Sequence, residues 1–208
     1  MRAVRAVVAS AALALLVGCG SGSSPEAPKL LTRAEADART VVPFTRGVRL
    51  DKAGRIVDVT FDAAEPDRSA TPTLIIGLRS EGKEPAEAHA VTAAIERDGL
   101  RARVVLERLD TPSPEPIPLW KVSDDGRSQV KLATDIVGER LWGADVAVGT
   151  LAEAGLYSQQ LSYRELQWAS AGLGERGRYR LRIDLLEDRP DLEGLQIDVM
   201  VGYEQRGK

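Results

Sequence analysis

Cysteine and histidine are almost absent from this chain of 208 residues, which contains one of each. A single cysteine excludes an intrachain disulfide and any metal site built from cysteines alone. A single histidine excludes sites built from several histidines, and a Ser-His-Asp triad would depend on His89 alone. No Gly-x-Ser-x-Gly motif stands between a predicted strand and a helix to supply a nucleophile. We therefore predict no catalytic residues, no metal site and no bound cofactor.

The chain also lacks a large excess of charge of either sign. Lysine and arginine total 28 against 31 aspartate and glutamate, for a formal net charge of −3. That balance gives no basic footprint for a nucleic-acid partner. Aromatic residues make up only 4% of the chain and hydrophobic residues 43%, a composition typical of globular proteins.

No apolar run is long enough for an ordinary transmembrane helix, which needs about 20 residues. The longest, residues 6–17, has twelve residues and is interrupted only by Ser10. Arg2 and Arg5 precede it, and the first acidic residue is Glu26. This pattern predicts a secretory signal peptide over residues 1–18.

The apolar run ends in Leu16-Val17-Gly18-Cys19, which resembles the lipobox of bacterial lipoproteins. The resemblance implies cleavage before Cys19, lipid on its sulfur and a palmitate-type acyl chain on its amine, hence a membrane anchor. It further implies the outer membrane, facing the periplasm, because Gly20 replaces the aspartate of inner-membrane retention. Cleavage would take the net charge from −3 to −5, since two arginines are lost. An ordinary signal peptide with an unmodified cysteine is the alternative.

Two further segments follow. Residues 19–39 begin with glycine, serine and proline, which predicts a flexible tether after the lipidated cysteine. Within them, Thr32 and Glu35 fit a capping box, so a short helix and continued tether are equally favoured there. Residues 40–208 form the predicted folded domain.

The folded domain is predicted to be mainly β, an antiparallel β-sandwich with one short helix. Short β-branched runs separated by turn residues recur along it, with no alternation of strand and helix. The helix is expected between Pro85 and Gly99, which suit its two ends. A hairpin is expected over residues 119–133, with Asp125-Gly126 as its turn.

The clearest strand covers residues 179–185, where apolar and charged side chains alternate. The period of two predicts a buried face, made of Tyr179, Leu181, Ile183 and Leu185, and an outward face, made of Arg180, Arg182 and Asp184. Residues 195–201 alternate too, and we expect them to meet this buried face as the partner strand.

The C-terminal stretch from Gly177 to Ile183, then Arg189 to Gly194, then a last alternating strand, resembles the end of the bacterial family catalogued as domain of unknown function 5625. The resemblance would span residues 41–203. It implies a β-rich fold in a lipoprotein or secreted setting, and it brings no activity and no functional residue.

The candidate binding residues are aromatic. Trp142, Tyr157, Tyr163 and Trp168 are concentrated in one part of a chain that has few aromatics. Such side chains could form a platform for a protein or sugar, or belong to the sandwich core. We take Trp142, Tyr157 and Tyr163 as candidates for partner binding, with Trp142 foremost because glycines surround it.

These patterns predict a lipid-anchored binding protein with an envelope protein as partner, for example an immunity or inhibitor lipoprotein. The acidic net charge would suit a basic partner. A structural or assembly accessory of the envelope is one alternative. The other is a glycan hydrolase built on carboxylates, for which acidic clusters at residues 124–125, 187–188 and 191–193 are the candidates, although turns favour aspartate without any such role.

Overall fold

The computed structural model describes residues 29–63, 72–123, 125–126 and 128–205. The predicted signal peptide and Cys19 lie outside these residues. Within the described residues, no helix is long and apolar enough to cross a membrane.

Two antiparallel sheets pack face to face, which confirms the predicted β-sandwich. The larger sheet has its strands in the order β1 (Phe44–Val48), β12 (Ile197–Tyr203), β3 (Thr73–Gly82), β10 (Ser162–Gly172), β6 (Trp120–Val122) and β7 (Gln129–Lys131), with β9 (Trp142–Gly143) also pairing with β10. The smaller sheet has the order β2 (Gly54–Ala63), β11 (Gly177–Leu185), β4 (Ala102–Arg108) and β5 (Glu115–Pro116), with β8 (Ile136–Val137) also pairing with β4.

Helix α2 (Pro85–Asp98) is the predicted helix, and Gly99 ends it with a positive φ of 75°. Two further short helices, α1 (Arg33–Ala38) and α3 (Val148–Glu153), add to it, and a 3-10 turn spans Pro190–Leu192. In α1 the capping box of Thr32 and Glu35 is formed, so this segment is a helix rather than tether. Arg46 of β1 donates to the carbonyls of Ala36 and Arg39 and so fixes the end of α1 on the sandwich.

The main core lies between the two sheets. Strand β11 has the predicted alternation, with Tyr179, Leu181, Ile183 and Leu185 all at most 2% exposed. The ring of Phe61 lies between those of Phe44 and Tyr179, at centroid distances of 5.2 and 5.9 Å. A second, smaller cluster lies on the outer face of the larger sheet, beneath α1 and α3, and includes Ile75, Leu151 and Met200.

The expected pairing of the last strand with β11 is wrong. Strand β11 uses both of its edges, one for β2 and one for β4, so no edge remains for β12. The connection through the 3-10 turn instead carries the chain to the other sheet, where β12 pairs with β1 and β3. Ile197, Val199 and Val201 are nevertheless buried in the same core, because they face β11 across the sandwich.

Candidate functional site

Trp142 lies on the short strand β9, where it pairs with Gln167 of the central strand β10. Its indole is half-buried. The guanidinium carbon of Arg140 lies 4.4 Å from the indole centroid, a cation–π contact. The indole is thus held in place while part of it stays accessible.

The hairpin of β6 and β7 also reaches this indole. Its turn contains Gly126, whose φ of 72° favours glycine. A Cβ at that position would lie 3.1 Å from the indole ring, so the turn backbone can pack closely on Trp142 because residue 126 has no side chain. The predicted Asp-Gly turn therefore helps to build the surroundings of the predicted tryptophan.

A groove of about 430 Å³ opens beside the indole, and we call it the Trp142 groove. It contains apolar side chains from β6, from β8 and from the two residues that follow β7. Among its described lining residues, Glu139 is the one acid, against four basic side chains: Arg101, Lys121, Lys131 and Arg140. The local charge is therefore the reverse of the chain's net charge.

Gln167 lines the same groove with a side-chain amide that is an unsatisfied donor. The residue is 6% exposed, and its Nε2 has no hydrogen-bond partner among the described residues. Buried polar atoms are nearly always hydrogen-bonded, so such an amide suits an acceptor supplied by a bound partner. The groove thus combines an aromatic anchor, positive charge and a free donor.

The two candidate tyrosines do not line this groove. Tyr157 and Tyr163 contact each other at a ring-centroid distance of 5.0 Å. Tyr163 lies four residues from Gln167 along β10, about 13 Å at the rise of a strand. Its hydroxyl accepts from the backbone N–H of Ser158, and burial raises the pKa of the Tyr163 phenol. Trp168, the fourth aromatic, is in the core, where its indole N–H donates to the Leu100 carbonyl.

Two carboxylates of the acidic turns that could serve a hydrolase are engaged in contacts within the sandwich, whereas Asp124 lies outside the described residues. Asp188 accepts from the backbone N–H of Ala53, and Asp191 is held by both Nε and Nη2 of Arg189. The hydrogen bond from Arg189 lowers the pKa of Asp191. No cluster of three or more histidines, cysteines or acids suited to a metal ion occurs among the described residues.

His89 is 58% exposed on α2, and its Nδ1 lies 3.4 Å from Glu96. Glu96 is held more firmly by Arg164, at 2.9 and 3.0 Å, and hydrogen bonding to Arg164 lowers the pKa of Glu96. The His89 imidazole therefore adds one weak contact to the ion pair of Glu96 and Arg164, which is already formed.

Replacing His89 with alanine is expected to change the free energy of unfolding by less than about 0.5 kcal/mol, as for most surface changes. Thermal unfolding of the variant and the native chain would measure this. Loss of any enzymatic activity found for the chain, with an unchanged melting temperature, would contradict the prediction that His89 has no catalytic role, and loss of partner binding would contradict the prediction that it lies outside the binding surface.

Comparisons with known proteins add little about function. No family model matches the chain, so the resemblance to domain of unknown function 5625 stays a prediction. No curated protein matches either. One crystal structure, of a protein from Sulfurospirillum deleyianum, is similar over 79% of this chain and 98% of its own length, with 11% identity and a TM-score of 0.39. A similarity at that level carries no argument about activity.

Proposed function

We propose that this chain is a non-catalytic binding protein of the bacterial envelope, anchored by lipid on Cys19 and facing the periplasm from the outer membrane. Its binding surface is the Trp142 groove. The observation that carries the proposal is the half-buried indole of Trp142 beside the guanidinium of Arg140, at the wall of a groove large enough for side chains of a partner.

Tryptophan and arginine are the residue types that contribute most to protein–protein binding energy. Both lose little conformational freedom here, because the indole already contacts Arg140 and the hairpin turn. Preorganised anchors lower the entropic cost of association, which favours binding. The groove therefore suits docking of a folded protein surface.

The charge of the Trp142 groove indicates which kind of protein surface would bind there. Four basic side chains against one acid among the described lining residues complement an acidic face. The net charge of the chain had favoured a basic partner, but the charge that meets the partner is the local one. We propose an acidic envelope protein as the partner, with the sandwich acting as an inhibitor or immunity protein that covers it.

The test is affinity capture of the full chain from cross-linked cells of the native host, with the captured protein identified. Trp142→Ala and the charge reversal Arg140→Glu should each reduce capture about tenfold or more. Binding of the identified protein to the purified chain, measured without cross-linker, should weaken at higher salt, since exposed charge pairs are screened.

Trp120→Ala is the matched control, because Trp120 is 38% exposed on β6 and does not line the groove. Its capture should equal that of the native chain. Equal capture by the Trp142 and Trp120 variants, or a captured protein whose contacting face is basic, would contradict the proposal.

A further inference from the structure

Arg79 is a buried arginine on the outer face of the larger sheet, beside the smaller cluster that contains Leu156. It projects from β3, and its side chain is 4% exposed. Its Nη1 donates to the Leu156 carbonyl at 2.7 Å, and its guanidinium lies 3.7 Å from the centroid of the Tyr163 ring. The remaining nitrogens, Nε and Nη2, have no hydrogen-bond partner among the described residues.

Nε and Nη2 form one edge of the guanidinium. In arginine–carboxylate pairs, this edge donates two parallel hydrogen bonds to the carboxylate. Other arginines of this chain use that edge in this way. Arg164 holds Glu96 at 2.9 and 3.0 Å, and Arg180 holds Asp58 at 2.8 and 2.8 Å. Arg79 alone combines such an edge with near-complete burial and no hydrogen-bonded carboxylate, within the described part of the chain.

Glu165 is the nearest acid to this edge, but its Oε1 lies 3.5 Å from Nε, beyond a good hydrogen bond. It neutralises the charge of Arg79 without satisfying its donors. Burial raises the pKa of Glu165, which fits a carboxylate with little stabilisation from hydrogen bonds. An unsatisfied buried donor of this kind is destabilising, so a ligand that accepted a hydrogen bond from it would recover that loss on binding.

Arg79 lines a cavity of about 180 Å³, which we call the Arg79 pocket. Tyr163 and Leu161 form one side of it, and Leu31 and Ala36 of the α1 region form another. A cavity of about 150 Å³ accommodates a benzene molecule, so the Arg79 pocket suits a ligand of about six to eight non-hydrogen atoms.

The pocket also contains acids, which restrict the ligand. Asp198 is half-buried and lies 2.6 Å from Nη2 of Arg33, while Glu81 is exposed. Arg33 fits there because Gly47 has no side chain: a Cβ at 47 would lie 1.9 Å from the same Nη2. A simple anion would meet repulsion from Glu81, Asp198 and the adjacent Glu165, whereas an ammonium group on the ligand would be attracted to them.

We propose that the Arg79 pocket binds a small zwitterion of the α-amino acid class, with its carboxylate on the Nε and Nη2 edge of Arg79 and its ammonium towards Glu81 and Asp198. This site is separate from the Trp142 groove and does not depend on the function proposed for it. Aromatic contact from Tyr163 holds the guanidinium plane for the carboxylate.

Isothermal titration of the full chain in detergent tests the proposal with matched probes. Glycine, serine and both enantiomers of alanine serve as zwitterions. Propionate is alanine without its amine, and ethylamine is alanine without its carboxylate. At least one amino acid should bind saturably, and propionate and ethylamine should bind about tenfold or more weakly than alanine or not at all.

Arg79→Lys keeps the charge but removes the two-pronged edge, and should weaken amino acid binding about tenfold or more. Arg164→Lys is the matched control and should leave binding unchanged, because its edge already holds Glu96. If Arg79→Lys fails to fold, Leu161→Trp fills the pocket from a half-buried wall position and should abolish binding.

Three results would overturn the proposal. The first is no saturable binding of any amino acid up to about 10 mM. The second is propionate or ethylamine binding as tightly as alanine. The third is amino acid binding that survives Arg79→Lys in the folded protein, or survives Leu161→Trp where Arg79→Lys does not fold.

Discussion

Replacing Ile183 with alanine is expected to lower the free energy of unfolding by about 2–5 kcal/mol, the range for large-to-small changes in a packed core. Ile183 has no exposed surface and lies in the second half of β11, paired with β2 on one side and β4 on the other. The side chain therefore packs on all sides, and its loss leaves a cavity. Chemical denaturation of the full chain, native and variant, measures the difference.

Arg182→Ala is the matched control one residue away on the opposite face. The Arg182 side chain is 30% exposed, and its Nη2 lies 3.0 Å from Glu107. A partly exposed ion pair contributes little, so the loss should be under about 1 kcal/mol. Equal losses for the two variants, or a larger loss for Arg182→Ala, would mean that β11 does not bury one face only.

Replacing Cys19 with serine is expected to abolish palmitate labelling and to move the chain from the detergent-extracted membrane fraction to a soluble or uncleaved form. The reason is chemical, because serine has no thiol on which the diacylglyceryl thioether could form. Several acyl chains anchor a protein stably in a membrane. A protein without acyl chains is held only by weak attraction between its surface and the membrane. Labelling and fractionation of cells that express each form measure both effects.

Ser21→Ala is the control for this substitution, since it changes a neighbouring residue and leaves the lipobox-like sequence intact. It should be labelled and fractionate as the native chain does. Palmitate labelling that persisted in Cys19→Ser would show that the lipid is carried elsewhere or that the lipobox interpretation is wrong.

The sequence predicts secondary structure best for elements that bury one face and expose the other to solvent. Strand β11 alternates, because its charged residues Arg180, Arg182 and Asp184 face solvent at the surface of the smaller sheet. Helix α2 is marked by Pro85 and Gly99 at its ends. In both β11 and α2, the structure that the local sequence favours is also the structure that packing in the folded protein favours.

Strand β10 shows where sequence patterns are insufficient. It is central in the larger sheet and contacts more strands than β11 does, yet nothing in residues 162–172 predicted it. A register shift between Gln167 and Ala169 interrupts its alternation. Both of its faces are covered, so polar residues such as Gln167 and Ser170 are buried beside apolar ones.

Arg79 could not be predicted as a site residue for a related reason. It follows the apolar run of β3, where an arginine normally marks the exposed end of a strand. The contacts that bury it come from Tyr163 and Leu156, which are distant in sequence. The Trp142 groove could be predicted only in part for the same reason. The small number of aromatic residues drew attention to Trp142, but the basic residues around it come from four separate segments.

The most direct test of the proposed binding function is photo-crosslinking in cells of the native host. A photoreactive phenylalanine derivative is placed at position 133, where the exposed Ala133 lines the Trp142 groove, and at position 120 as the control. We expect one dominant cross-linked envelope protein with an acidic contact face from position 133, and none above background from position 120. Equal cross-linking from both positions, or none from position 133, would contradict the account.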